Sequence, residues 1–295
     1  MSVHGVDDQA EVGIIGGSGL YALDGLTDVR RVRVSTPYGE PSDEVVLGTL
    51  SGKRVAFLPR HGEGHRISPS HLPARANIHA LKSLGVRQVL SISAVGSLRE
   101  DYAPGDLVVP DQIVDRTSQA RGNSFFDQDV VVHVPFATPY CDRLRPLLAD
   151  AARANARVHT AGTYCCIEGP QFSTRAESEL YRSWGLDIIG MTAVPEARLA
   201  REAELCYAGL ALVTDYDCWH DGHDSVTAQA VAEVMHRNGE AAKATLTALL
   251  TTLPTDVACA CQNALATSII TPLTKLPEST RDRYALLLGK YLPTG

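Results

Sequence analysis

Short runs of β-branched and aliphatic residues recur along the chain and alternate with longer stretches whose apolar positions repeat every three to four residues. The short runs predict strands over 12–15, 45–47, 54–58, 86–93, 107–109, 163–167, 187–189 and 207–214. The longer pattern predicts helices over 74–84, 141–154, 174–184, 194–203, 226–250 and 279–288. Gly85 suits the stop of the first helix, and Pro195 is tolerated in the first turn of the fourth. Strands that alternate with helices predict an α/β fold with a central sheet covered on both faces. No repeat and no linker divides the sequence, so residues 1–295 are expected to form one domain.

Ligands in such folds gather at the carboxyl ends of strands. That rule draws attention to the loops at 16–21, 59–65, 93–97, 168–173, 191–196 and 214–224, which are expected to share one rim. Composition narrows what they can bind. Hydrophobic residues make up 44% and charged residues 21%, as in an ordinary globular protein. The formal charge of −7 provides no global field for nucleic-acid phosphates, so no nucleic-acid partner is expected and any anion must be held locally. The longest uncharged run, 257–274, contains Gln262, Asn263 and Pro272 and makes a poor membrane helix. The opening MSVHGVDDQAE lacks the basic start and apolar stretch of a signal peptide, so the expected compartment is the cytoplasm.

Two constellations carry chemistry. Gly16, Gly17 and Gly19 surround Ser18, where backbone N–H groups and a hydroxyl can converge on an anion. The loop is neither a P-loop nor a dinucleotide fingerprint, and on its own also reads as a turn that ends a strand. Arg60 and His61 follow one predicted strand and Ser93 and Ala94 another, so a guanidinium, an imidazole and a hydroxyl can join Ser18 around a tetrahedral anion such as inorganic phosphate. A salt bridge for Arg60 and a core position for His61 remain open as the alternatives. The second constellation is Thr214-Asp215-Tyr216-Asp217, two carboxylates on one side of a strand end. A protonated Asp matches the acceptor at N7 and the donor at N6 of adenine, and a raised pKa would let Asp215 protonate a departing base. A helix cap or a cation site is the alternative.

The histidines and acids at 220–224 make no zinc pattern and read as a lid, and no metal is expected in catalysis. The seven cysteines suit reduced thiols, with Cys165 and Cys166 in a strand core and Cys259-Ala260-Cys261 as core or redox-labile thiols, since a C-x-C bridge would be strained. Phe172 beside Ser173 can stack on a purine. Val226, Ala230, Val231 and Val234 form an apolar stripe suited to packing, with one end at a pocket.

In combination and order, GIIGGSGL, LPRHGEGHRISPS, RANIHALKSLG, SAVGSLRE, PGDLVVPDQIVDRT, IEGPQFSTRAES, IIGMTAVPEA and TDYDCW resemble the nucleoside phosphorylase family over nearly the whole chain. The resemblance implies a single-domain α/β fold with a central mixed sheet flanked by helices, assembled as a trimer or a hexamer. It implies a pentosyltransferase with inorganic phosphate as co-substrate, no cofactor and no metal. Its substrate would be 5′-methylthioadenosine or a related 5′-deoxy-5′-substituted adenosine. Carried onto this sequence, it puts phosphate on Ser18, Arg60, His61, Ser93, Ala94 and Thr192. The purine would lie against Phe172 and Ser173 with Asp215 and Asp217 at its edge, Met191 would meet the ribose, and the 5′ group would meet Val226, Ala228 and Val231. His133 would reach in from a neighbouring subunit. Relatives acting on 6-oxopurines carry Asn where this chain has its strand-end aspartates. Gln171, Ala74 and Ala228 depart from the family pattern, and Ala228 implies a roomier 5′ pocket that would also admit 5′-halo-5′-deoxyadenosines.

Overall fold

The computed structural model describes residues 8–17, 25–118, 121–220, 228–254 and 258–293, with backbone alone at 228–233 and 235. Its sheet has eleven strands, and the main path runs β2 (Thr27–Val32), β3 (Val45–Leu50), β4 (Lys53–Pro59), β1 (Val12–Gly16), β5 (Gln88–Ser97), β10 (Ile188–Gly190), β9 (Thr163–Ile167), β7 (Gln112–Arg116). A branch leaves β5 through β11 (Cys206–Asp215), β6 (Leu107–Val108) and β8 (Val158–His159). β5 and β11 are the long central pair, and both are buried along nearly all their length because apolar layers cover both faces.

Alternation along each strand sorts residues between those layers. Ile15, Ala56, Leu58 and Val89 pack with α1 (Ala74–Ser83), α4 (Ala193–Glu202) and the C-terminal Tyr284, Leu287 and Leu288. Val12, Ile14, Val55, Phe57, Leu90 and Ile92 pack on the other side, with Leu144 and Leu148 of α2 (Leu144–Ala152) and Leu246, Leu249 and Leu250 of α5 (Ala228–Thr252). The expected strands are present with shifted ends, as are all the expected helices but the last. α1 stops where the chain turns through Gly85 at φ +84°, with Val86 N–H donating to Leu81 O, the left-handed stop that glycine favours. α3 (Arg175–Ser183) opens on a capping box between Thr174 and Glu177. The expected last helix is broken at Tyr284 into α6 (Glu278–Arg283) and α7 (Ala285–Leu288). Among the described residues no helix is long and apolar enough to cross a membrane.

Two expectations about the sheet are corrected. Residues 93–97 are not a loop, because β5 runs on to Ser97 and keeps its ladder with β11 through Gly96. The loops also do not share one rim: β1, β4, β5 and β11 are parallel, whereas β10 is antiparallel to β5 and β9 is parallel to β10. The loops after β9 and β10 therefore approach from the opposite end.

β5 keeps β11 on one edge from Gln88 to Gly96. On its other edge it pairs with β1 as far as Ser91 and with β10 only from Gly96. Among the described residues the gap spans Ile92 to Val95, and Gly190 at the end of β10 delivers the chain into it. A Cβ on Gly190 would lie 2.1 Å from the Tyr164 hydroxyl and 3.2 Å from Val95 Cγ1, and Tyr164 is buried. Gly190→Ala is therefore expected to lower unfolding free energy by about 1–3 kcal/mol, read from the urea midpoint, and an unchanged midpoint would contradict this close packing.

Candidate active site

The gap in the β5 edge is filled from below by Arg60. Its backbone N–H donates to Gly16 O at 2.8 Å, which carries the β1–β4 ladder one residue further. Its side chain is 1% exposed. Nε and Nη2 donate to Glu196 Oε1 and Oε2 at 2.5 and 3.1 Å, and Nη2 also donates to Ser91 Oγ at 2.7 Å and to Ile15 O at 3.5 Å. Nη1 donates at 2.8 Å to Ile92 O, a carbonyl at the start of the gap. Burial opposes the guanidinium charge, but the Glu196 carboxylate outweighs it and raises the Arg60 pKa above its ordinary value. Of the five N–H bonds, one on Nη1 remains for a ligand. Ser91 Oγ at 2.9 Å and Tyr207 Oη at 3.1 Å also donate to Glu196 Oε2. Arg60 is thus a buried, neutralised support as well as a cation.

His61 is buried beside it. Nδ1 lies 2.8 Å from Ile67 O, and since a carbonyl can only accept, Nδ1 carries the proton and Nε2 presents a lone pair. Burial pushes the imidazole pKa down to about 4, with the Arg60 charge adding to it and the Ile67 hydrogen bond opposing it. Near neutral pH a hydrogen phosphate O–H can donate to this nitrogen. Ser93 and Ala94 lie within β5 at the gap, both partly buried, and Thr192 is the N-cap of α4, just after Met191. Ser18 and Val226 lie outside the described residues, as do the side chains of Ala228 and Val231.

The second part of the site stands at the end of β11. Thr214 is buried, and its hydroxyl oxygen stands 2.6 Å from Asp215 Oδ2 and 3.2 Å from Val95 O, with a single hydrogen to give to one of them. Asp215 Oδ1 accepts the Asp217 N–H at 2.8 Å, which curls the chain so that Asp217 sits at φ +53°. The ladder between β5 and β11 slips between Val213 and Asp215, an irregularity that re-aims the carboxylate. A Cβ on Gly96 would lie 2.9 Å from Asp215 Oδ1 and 3.4 Å from Asp217 Cβ, so glycine is what lets both acids lie against β5. Burial raises the Asp215 pKa above the usual carboxylate range, against the hydrogen bonds from Thr214 and Asp217. Burial also raises that of Asp217, and the nearby Asp215 charge adds to the effect. Both acids are biased toward holding a proton.

Trp219 closes this turn, with Nε1 donating to Ser97 O at 2.8 Å and the Arg182 guanidinium stacked 3.3 Å from its ring centroid. Cys218 Sγ donates to Ser173 O at 3.2 Å, which brings the 168–173 loop against the two aspartates. In that loop Phe172 is 46% exposed, a ring face left open, and Ser173 Oγ is buried without a hydrogen-bond partner. His133 is exposed, far along the chain from these groups and fixed through its backbone N–H to Ser268 O at 2.9 Å.

Two side chains that organise the site escape sequence reasoning. Glu196 looks like an ordinary helix acid, yet it is 2% exposed and holds Arg60. Arg121 belongs to no motif, but its buried guanidinium donates to Glu168 Oε1 at 3.0 Å, Met191 O at 2.7 Å, Val194 O at 3.1 Å and also to Glu168 O. It ties together the loops that carry Phe172 and Thr192. Burial disfavours the charge on Glu168, but hydrogen bonds from Ser118 N–H and Arg121 prevail and hold its pKa at about 2.

Comparison with known proteins gives this geometry a setting. The model of the phosphorylase superfamily matches residues 11–251. The S-methyl-5′-thioadenosine phosphorylase of Koribacter versatilis is 53% identical over 284 residues, covering 96% of this chain and 97% of the relative. That of Hyperthermus butylicus is 54% identical over 267 residues, covering 89% and 96%. Among solved structures, a methylthioadenosine phosphorylase from an antarctic soil metagenomic library superposes with TM-score 0.90 at 47% identity, covering 95% and 99% of the two chains. The methylthioadenosine phosphorylase of Schistosoma mansoni in complex with adenine does so with TM-score 0.81 at 38% identity, covering 88% and 98%.

The arrangement around Arg60 makes a stability prediction. Glu196→Ala should cost about 3–5 kcal/mol in denaturant unfolding because it strands a buried guanidinium, whereas Ser91→Ala should cost about 1 kcal/mol. Equal, small losses in both variants would show that Glu196 is not the counter-charge.

Proposed function

The chain belongs to the phosphorylase superfamily, and on that premise we propose that it cleaves the N-glycosidic bond of 5′-methylthioadenosine with inorganic phosphate, as a pentosyltransferase. The products are adenine and 5-methylthioribose 1-phosphate. The observation that carries this reading is the pair Asp215 and Asp217, two acids with raised pKa values pressed against Gly96 at the end of β11. A protonated carboxyl both donates and accepts, which is what the N7 and N6 edge of adenine requires.

The reaction runs as a displacement with a loose transition state. The C1′–N9 bond breaks with its electron pair passing into the base, the Asp215 proton moves to N7, and a phosphate oxygen forms the new bond to C1′. Phosphate is proposed to lie at the β5 gap on Ser18, His61, Ser93, Ala94 and Thr192, with the remaining Arg60 N–H and its fixed charge beneath. The partial positive charge on the sugar then faces the phosphate, while the proton neutralises the leaving group at the other end. The open ring of Phe172, the unpartnered Ser173 Oγ and the nearby Met191 support a base and ribose pocket between the 168–173 loop and β10. Val226, Ala228 and Val231 are assigned to the 5′ group. No organic cofactor is needed for this chemistry.

A trimer or a dimer of trimers fits the surroundings of His133. Its neighbour Val131 is 49% exposed and Ile270, bonded to Val131 through its backbone, is 61% exposed, so an apolar surface suited to a second copy surrounds it. His133 is assigned to the neighbour's 5′ subsite. A cytoplasmic location is part of the same proposal.

Two measurements test the reading. Adenine release from a panel of methylthioadenosine, adenosine, 5′-halo-5′-deoxyadenosines and inosine, with and without phosphate, should require phosphate and favour methylthioadenosine. Release without phosphate would identify a hydrolase, and preference for inosine a 6-oxopurine enzyme. Asp215→Asn should lose about 100-fold in kcat, on the order of 3 kcal/mol, with the fold intact. Because the proton must be present, wild-type kcat should fall as pH rises through the elevated Asp215 pKa, and that limb should vanish in the variant. Wild-type turnover from Asp215→Asn would refute the role.

A further inference from the structure

Four thiols converge away from the catalytic residues. Cys141 lies just before α2, Cys206 opens β11, and Cys259 and Cys261 come from the start of a 3-10 turn at Ala260–Asn263. Their Sγ atoms all lie within 4.8 Å of one another, with Cys141 and Cys259 3.6 Å apart. Four sulfurs at about 2.3 Å from a tetrahedral zinc ion stand about 3.8 Å apart, so the cluster is close to the size such an ion requires. Cys141, Cys206 and Cys261 are buried and Cys259 is partly buried, which seals the position from water.

The surroundings lack a negative charge that such an ion would bring. Arg143 Nη2 stands 3.9 Å from Cys206 Sγ and donates to Gln88 Oε1 at 2.8 Å. Its Nε and Nη1 are buried without a hydrogen-bond partner. A guanidinium placed in this way calls for an anion. Four thiolates around a divalent ion carry a net charge of −2 and supply one.

We propose that Cys141, Cys206, Cys259 and Cys261 bind a structural zinc ion, with Arg143 as its outer charge partner. Binding releases the four thiol protons to solvent and leaves every sulfur in its reduced state. With four protein ligands there is no open position, so the ion takes no part in glycosidic chemistry. Its effect is mechanical: it pins the segment that carries Leu265, Tyr284, Leu287 and Leu288 into the core to the start of β11 and to α2. The cysteine spacing conceals the site, because its ligands come from three separated segments.

The test uses the full-length chain purified under reducing conditions. Elemental analysis should find about one zinc per chain after washing with EDTA, released when an organomercurial titrates the thiols. Cobalt(II) exchanged into the wild-type chain should show the visible bands of tetrahedral thiolate coordination, and the Cys259→Ser/Cys261→Ser double variant should lose the metal and melt at lower temperature. The cobalt spectrum and the wild-type zinc content decide the matter if that variant does not fold. Wild-type protein without stoichiometric zinc, a double variant that retains it, or an intact mass lighter by the hydrogens lost to disulfides would each overturn the proposal.

Discussion

One strand edge with two successive neighbours dictates the site. β5 leaves β1 after Ser91 and meets the oppositely directed β10 at Gly96, so among the described residues a few in the middle of a buried sheet have a strand, β11, on one edge only. Unpaired backbone at such a depth is costly unless other groups satisfy it. Arg60 answers part of that need through Ile92 O and Ile15 O, and an arginine in that position must itself be neutralised, hence Glu196. The cost of opening the sheet is thereby met by a buried ion pair, and strands that arrive from both ends of the sheet meet at the opening.

The antiparallel arrival of β10 matters for the chemistry. In a purely parallel sheet all the strand-end loops would crowd one rim. Here Thr192 comes toward the middle of β5 from one direction, while Asp215 arrives at Gly96 from the other. Arg121 bonds the 168–173 and 191–196 loops together, and Trp219 and Cys218 fasten the aspartate turn to β5 and to Ser173. These bonds tie the proposed anion and base subsites to the same sheet, the preorganisation on which charge stabilisation in a transition state depends.

Much of this was legible in the residue order because local signals and tertiary demands agree. Apolar runs marked the central strands, Gly85 and Thr174 marked helix ends, and TDYDCW marked the acids. The edge strands were hidden: β2 reads TDVRRV, whose exposed charges blunt an open edge while erasing the apolar alternation. β7 is only partly buried and, among the described residues, pairs with β9 alone. Strand direction is not written in composition, so the run after Ile92 looked like a loop and the approach of the loops looked one-sided. Glu196 acts through Arg60, 136 residues away in the chain, and Arg121 through Glu168 and Val194, 47 and 73 residues away, and periodicity carries no trace of such contacts.

The central claim is that Asp215, held against Gly96 at the end of β11, keeps its proton beyond the range in which a carboxylate normally loses it. A carbon-13 NMR titration of aspartate-labelled enzyme, with the Asp215 carboxyl signal assigned by its loss in Asp215→Asn, measures this directly. The account predicts a midpoint clearly above the ordinary aspartate value of about 3.9. A midpoint at or below that value would leave the departing base without its acid and contradict the mechanism.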